Sequence, residues 1–412
     1  MNPRARERLS KAERRLFILL GVPGFGLSLS LTVLSSYLPV LARSFTASRA
    51  GIGALVGGEG LIALLLPLWI GGLSDRVDTR FGRRVPFLMA TAPIAAIALV
   101  LIPLAGSLPV MAAAVFLFYV AYFTYLAPYR ALYPDLVPLD ASGRAQGILG
   151  IFNQAGLGFA LVGGGLLLEV WRPLPYVVAA ATMLLGTLIL VLGLRRRAWP
   201  PAWTERSSAR SPAAEVWALL RDHRAIRALM LTNALLSLTL GGLKAFVVLW
   251  LIEGLGKSMK FIAGAMTVVS VGALVGALVT GKLADRHGAA RVLTGTLVVF
   301  GLGLALPTFS SSTLLLGAEL PLIAFCGGAA VTLPYAILMQ RVPARSHGTA
   351  AGLFDVSGGI GTLLGPAITG AAIDLLRPLF ASTKGYAAMW PVLSASALAS
   401  IATLRRAGSG DA

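Results

Sequence analysis

Charge is the first thing this chain has little of. Asp, Glu, Lys and Arg make up 13% of its 412 residues, about half the share found in soluble domains, which argues against a soluble globular protein. Cysteine is nearly absent as well. Cys326 stands alone in an apolar run, which leaves no disulfide framework and no cysteine-based metal site and makes it a packing residue. His223, His287 and His347 are the only histidines, and all three fall in hydrophilic segments. A proton carrier inside an apolar span therefore has to be a carboxylate. HExxH, paired catalytic carboxylates and metal-ligand clusters are missing. Gly254-Leu-Gly256-Lys257-Ser258 imitates the end of a phosphate-binding loop, but Leu251 occupies the place of the first glycine. No cofactor and no metal are expected, and an enzyme is the least supported class.

What is abundant is apolar surface. Hydrophobic residues are 57% of the chain, enough for close to twelve spans at about 20 residues per crossing. Apolar stretches fall near 16–42, 51–73, 87–106, 109–133, 146–170, 175–194, 226–252, 260–282, 291–309, 313–339, 349–376 and 386–404. Short loops between them require antiparallel neighbours. A bilayer tolerates no unpaired backbone, and these runs are too long and too uniformly apolar for barrel strands. The expected fold is an all-α membrane protein of twelve transmembrane helices.

The formal charge of +18 comes from 35 basic against 17 acidic residues. With a cytoplasmic N-terminus, 27 of the basic residues fall in cytoplasmic segments, seven outside, and Lys244 lies within a span. That asymmetry is the positive-inside pattern, which puts both termini in the cytoplasm and the chain in the inner (plasma) membrane as a multi-pass protein. Spread over seven short segments, these charges form a membrane rim, not a nucleic-acid groove. The basic N-terminus followed by about 26 apolar residues reads as an uncleaved first helix, not a signal peptide.

The hydrophilic stretch 195–224, with Pro200, Pro201 and Pro212, divides the spans into six and six. We expect an N-terminal bundle over 1–194, a cytoplasmic linker over 195–224 with a short surface helix near 213–223, and a C-terminal bundle over 225–412. The halves resemble each other. Gly71-Gly-Leu-Ser-Asp75-Arg76 recurs 210 residues later as Gly281-Lys-Leu-Ala-Asp285-Arg286. Pro128-Tyr129 recurs as Pro334-Tyr335, and Gly147, Gly156 and Gly165 recur 205 residues on as Gly352, Gly361 and Gly370. Two pseudo-symmetric six-helix halves describe an alternating-access transporter with its site between them at mid-membrane. Glycine is concentrated in the second, fifth, eighth and eleventh spans, and small residues let helix backbones approach closely. These glycines serve either ordinary packing within each half or the seam between the halves.

The loop GGLSDRVDTRFGRRVPFL, residues 71–88, resembles the major facilitator superfamily. Its longer D-x-T-R and G-R-R-x-P-F-L form, with PYRALYPDLVP and GRAQG over 128–147, is most similar to the sugar/cation symporters of the glycoside-pentoside-hexuronide and sucrose/proton type. The resemblance implies a latch on the cytoplasmic side. Asp75 would accept hydrogen bonds at the start of the eleventh span, and Arg76, Arg83 and Arg84 would pair with Asp135 or Asp140. Gly71, Arg144, Gly281, Asp285 and Arg286 complete the cytoplasmic gating motifs.

An ionisable residue deep in a span costs roughly 2.5–3.5 kcal/mol and is a functional candidate by default. Glu59, Lys244 and Asp355 are the three. Glu59 and Lys244 each lie about eight residues from the outer end of their span, ~12 Å deep, with opposite charge and in opposite halves. They are expected to meet when the outer side closes, with Glu59 as the proton or cation site and Lys244 as its partner or an anchor for an anionic substrate group. A permanent structural pair is the alternative. Asp355 would bind a cation or hydrogen-bond to glycine-exposed backbone. Asn153, Gln154 and Asn233 are the remaining strong hydrogen-bonding groups. Tyr119, Tyr122 and Tyr125 form a stripe for sugar stacking or for packing. Glu169, Glu253, Glu319 and Asp374 sit near outer ends and are expected in water.

The expected function is secondary active transport of a small solute, by proton- or cation-coupled symport of a sugar or related metabolite. A proton-driven drug or metabolite exporter is the alternative, favoured by a first span that offers only Ser, Thr and Tyr. A non-transporting scaffold or sensor is the alternative from another class. Expected partners are the small-molecule substrate, the coupling proton or cation and the lipid bilayer, with the protein a monomer.

Overall fold

The computed structural model describes residues 11–76, 79, 82–137, 142–195, 221, 223–310, 312–342 and 347–408. Twelve long helices carry the described chain: α1 (Lys11–Ala42), α2 (Arg49–Arg76), α3 (Val85–Leu101), α4 (Leu108–Leu136), α5 (Ser142–Val170), α6 (Leu174–Leu194), α7 (Arg224–Leu249), α8 (Met259–His287), α9 (Ala289–Ala305), α10 (Thr313–Arg341), α11 (His347–Leu375) and α12 (Met389–Gly408). Each belongs to a stretch long and apolar enough to cross a bilayer. The expected spans are all present, and several helices run past them. α1 reaches back to Lys11 and α2 continues to Arg76, because backbone hydrogen bonding does not stop at the hydrocarbon edge. The expected surface helix near 213–223 lies almost wholly outside the described residues.

Local chemistry sets several ends. Ser258 caps α8, its hydroxyl accepting a hydrogen bond from the Phe261 amide at 3.3 Å, and Gly288 ends the helix at φ 87°, a conformation that favours glycine. α7 ends in a π turn, Trp250–Gly254. There Trp250 meets Trp390 of α12 edge to face, ring centroids 4.8 Å apart.

In the first half α1 packs on α5 and α6, α2 on α4, and α3 on α4 and α6. The second half repeats each pairing six helices later: α7 on α11 and α12, α8 on α10, and α9 on α10 and α12. The joints between halves follow the same exchange, since α2 packs on α11, α5 on α8 and α1 on α7. Outward faces are studded with exposed apolar residues such as Leu65, Trp69, Leu185, Leu278 and Leu314, as lipid contact requires. With an even number of antiparallel helices, the start of α1 and the end of α12 share one face, here called the terminal face.

Candidate functional site

Between the halves lies a cavity of about 580 Å³ lined by α1, α2, α4, α5, α7 and α11. Four charged side chains reach it: Glu59 of α2, Arg130 of α4, Lys244 of α7 and Asp355 of α11. Each half supplies one acid and one base. Much of the remaining wall is apolar, including Leu27, Leu31, Ala63, Leu64, Phe123, Leu126 and Leu157.

Glu59 and Lys244 sit at the deep end, both half-buried and within Coulomb reach of each other, but they form no ion pair of 4.0 Å or less. The cavity holds both charges without letting them meet, although the opposite face is closed. Arg130 and Asp355 stand nearer the terminal face. Arg130 Nη1 donates to Asp355 Oδ2 at 3.4 Å, with side chains 61% and 68% exposed. Asp355 thus has a guanidinium for a partner, a pairing the sequence reading does not contain. Only the position of Arg130 on the inward face of α4 brings it into view.

The other expected site residues separate. Asn153 and Tyr122 line the cavity. Asn233 lines it too, but its amide donates to the Phe354 carbonyl at 2.9 Å and to Ser357 Oγ at 2.8 Å, tying α7 to α11. Tyr125 does not line it. Its hydroxyl pairs with Thr187 Oγ1 of α6 at 3.0 Å, and Tyr119 donates to the Val56 carbonyl, so these two rings pack the half together. Gln154 is exposed on α5 and is not among the cavity-lining residues. It stands next to Asn153, and a one-residue step on a helix turns a side chain by about 100°.

The face opposite the termini is closed by two clamps. Arg43 Nε and Nη2 donate to Glu253 Oε1 and Oε2 at 2.9 and 3.1 Å, and Tyr386 donates its hydroxyl to Oε2 at 2.9 Å. This bonding raises the Arg43 pKa further above its ordinary value, so its charge persists at physiological pH. Asp374 accepts the Ala50 amide at 2.9 Å, at the start of α2, and Arg49 Nη1 at 3.5 Å. The Arg49 guanidinium lies 5.0 Å from the centre of the Tyr386 ring. Both clamps cross the halves. Glu253 and Asp374, expected in water, are instead held by arginines of the first half. The π turn is what carries Glu253, and such turns reorient a side chain relative to a regular helix.

Beneath the clamps, α2 and α11 meet backbone to backbone. A Cβ on Gly57 would stand 2.5 Å from the Leu363 carbonyl oxygen, and one on Gly60 2.5 Å from the Leu363 nitrogen; Gly53 would collide with the Pro366 carbonyl. Gly53, Gly57 and Gly60 of α2 lie on the seam, and Gly58 faces Tyr119 in its own half. From α11, Gly359 joins the seam against Gly60 and Leu64, and Gly370 joins it against the Arg49 backbone, whereas Gly156 faces α1, Gly272 and Gly276 face α10, and Gly361 and Gly365 face α7, all inside their own halves. Gly150 and Gly158 have nothing within 4 Å of a would-be Cβ.

On the terminal face, Gly82 adopts φ 82°. Its amide donates to the Thr79 carbonyl at 2.8 Å, and Thr79 Oγ1 donates to the Gly82 carbonyl at 2.7 Å. The turn delivers Arg84 to Asp135, Nε to Oδ2 at 3.1 Å, and to the Ser74 hydroxyl. Asp135 is thus the partner of Arg84, and both are in the first half. Arg83 is half-buried, Gly281 is half-buried on α8, and Asp285 and Arg286 are exposed there. Gly71, Asp75 and Arg76 lie on α2 and Arg144 on α5, but their side chains, like residue 140, lie outside the described ones.

The sequence matches the profile of the Major Facilitator Superfamily over residues 20–366 and again over 229–407. The chain belongs to the Major Facilitator Superfamily. This superfamily member is a secondary transporter, not an enzyme. It is 28% identical over 335 residues to a protein of Citrobacter koseri named multidrug resistance protein MdtG, covering 78% of each chain. In fold it is similar to the nucleoside transporter NupG, with TM-score 0.77, 17% identity and 96% and 99% of the two chains covered. A D-xylose-proton symporter superposes with TM-score 0.74 at 14% identity, covering 94% of this chain and 96% of that one.

Proposed function

We propose that this transporter exports an amphipathic organic solute in exchange for protons, with both termini in the cytoplasm. The observation that carries this reading is the cavity itself: largely apolar walls with a carboxylate, Glu59, at the deep end beside Lys244. Apolar walls suit a solute with a hydrophobic body, and a deep carboxylate that exchanges a proton for a substrate charge links the two fluxes. The name of the Citrobacter koseri relative supports the same direction. The excess of basic residues on the terminal face supports a cytoplasmic assignment for it, and the cavity then faces the cytoplasm while the clamps shut the outer side. The two six-helix halves, 1–194 and 225–412, joined by the 195–224 linker, would rock about the α2–α11 seam.

Proteoliposome flux tests this. Export of a lipophilic cationic dye should follow an imposed pH gradient and collapse in Glu59→Gln. Dye export that ignores the gradient overturns proton exchange. Sugar symport is the second reading, carried by the loop at 71–88 and its likeness to the sugar/cation symporters. Gradient-driven uptake of a monosaccharide, with no dye flux, would establish it instead.

A further inference from the structure

The four charges of the cavity are arranged by depth. Gly60, next to Glu59, packs on Gly359 and Leu363 of α11, and Asp355 lies four to eight residues nearer the terminal face on that same helix, roughly 6–12 Å away. α4 repeats the spacing. Tyr122 lies within Coulomb reach of Glu59, and Arg130 follows eight residues later, ~12 Å towards the terminal face. Between the two levels the wall is apolar, with Ala63, Leu64 and Leu126. The upper acid and base do not touch, and the lower pair touches through a single nitrogen of Arg130.

From this we infer that the cavity recognises a bipolar solute, one with an ammonium group and a carboxylate about 10 Å apart on an apolar chain. The inference rests on the export reading above and narrows its substrate class. The ammonium end is held by Glu59. The carboxylate end is held by Arg130, whose planar guanidinium has donors to spare beyond its one bond to Asp355 and matches a carboxylate with two. A cation without a carboxylate engages Glu59 alone and leaves Arg130 unused, so it is carried but held less tightly than a solute that satisfies both levels. A bipolar solute satisfies one group at each level and takes its apolar middle past the apolar wall. Exposed ion pairs are worth little, so the Arg130–Asp355 contact yields readily to a ligand carboxylate.

The test uses the purified full-length transporter and a series of straight-chain ω-amino acids of 4 to 14 carbons, with their methyl esters and N-acetyl derivatives, read by thermal shift and by proteoliposome flux. Lipophilic dye flux runs in parallel. Binding should peak near 8–10 carbons and fall about tenfold when either end group is masked, as expected for loss of a charge-assisted hydrogen bond. In Arg130→Gln the acid and its ester should bind alike. Asp355→Asn, which removes the competitor for Arg130, should tighten the acid and leave the ester unchanged. Dye flux with no length optimum, or with esters and acids equal in the unaltered protein, overturns the bipolar class and leaves the export reading standing. Absence of both dye and amino acid flux overturns the export reading, and this inference with it.

Discussion

Two sets of ion pairs join the halves, and they are built differently. At the face opposite the termini, Arg43 grips Glu253 through two nitrogens with both side chains 21% exposed, and Tyr386 adds a third hydrogen bond. Near the terminal face, Arg130 touches Asp355 once, and both are mostly exposed. The first is a forked, charge-assisted contact largely withdrawn from water, of the kind that contributes about 1.5–3 kcal/mol. The second belongs to the class of wet pairs worth about 0–1 kcal/mol. Opposite charges across a seam thus serve two purposes. Shielded and multiply bonded, they hold the seam shut; wet and singly bonded, they are available to a ligand.

Breaking the clamps should have the largest effect. Glu253→Gln with Asp374→Asn removes both acids from the closed face, and Ile52, buried in the first turn of α2, should become accessible. In a Cys326→Ala background, Ile52→Cys should react with a maleimide at least tenfold faster once the clamps are gone. An unchanged labelling rate would mean that the glycine seam alone keeps this face closed. The seam comes next. Gly60→Val places a side chain against the backbone of Leu363 and should lower flux more than tenfold in protein that still assembles, whereas Gly150→Ala, with open space around it, should transport normally. Equal loss in both variants would detach the effect from the α2–α11 contact.

Arg84 supplies a contrast within one half. Its side chain is 8% exposed and bonded to Asp135 and Ser74, so Arg84→Gln should lower unfolding stability in detergent by about 1.5–3 kcal/mol without changing Ile52→Cys labelling. A labelling change would show that this loop senses the state of the opposite face. The smallest effect belongs to Asp355→Asn, which should move stability by no more than about 0.5 kcal/mol while altering ligand preference. A larger loss would make the Arg130 pair a structural bond and close the gap between the two sets.

How much of this was legible in the sequence varies with the range of the interaction concerned. Hydropathy and loop length are local, and they were enough for twelve helices. For the loop at 71–88 the family resemblance left several pairings open, of Arg76, Arg83 or Arg84 with Asp135 or Asp140; the structure joins Arg84 to Asp135, 51 residues away in the same half, by way of a turn at Gly82 that the sequence reading did not include. The clamps were not legible, because Arg43 meets Glu253 across 210 residues and Arg49 meets Asp374 across 325, and no local pattern marks such partners. An acid near the end of a span looks the same whether it faces water or an arginine. Gln154 and Asn153 show the same limit at a single turn, since adjacent polar residues on a helix face different surroundings once the neighbours are placed.

Glycine content likewise pointed to four helices but could not choose among them. By itself the sequence determined the number of spans, their apolar character, the division into related halves and the short list of charges inside them, because each follows from composition and spacing along the chain. Only the tertiary structure decided that α2 and α11 carry the glycine seam, that Glu59 and Lys244 share a cavity without touching, and that Arg130 is the partner of Asp355. These depend on which faces two helices turn towards each other, and that is set by packing between segments far apart in sequence.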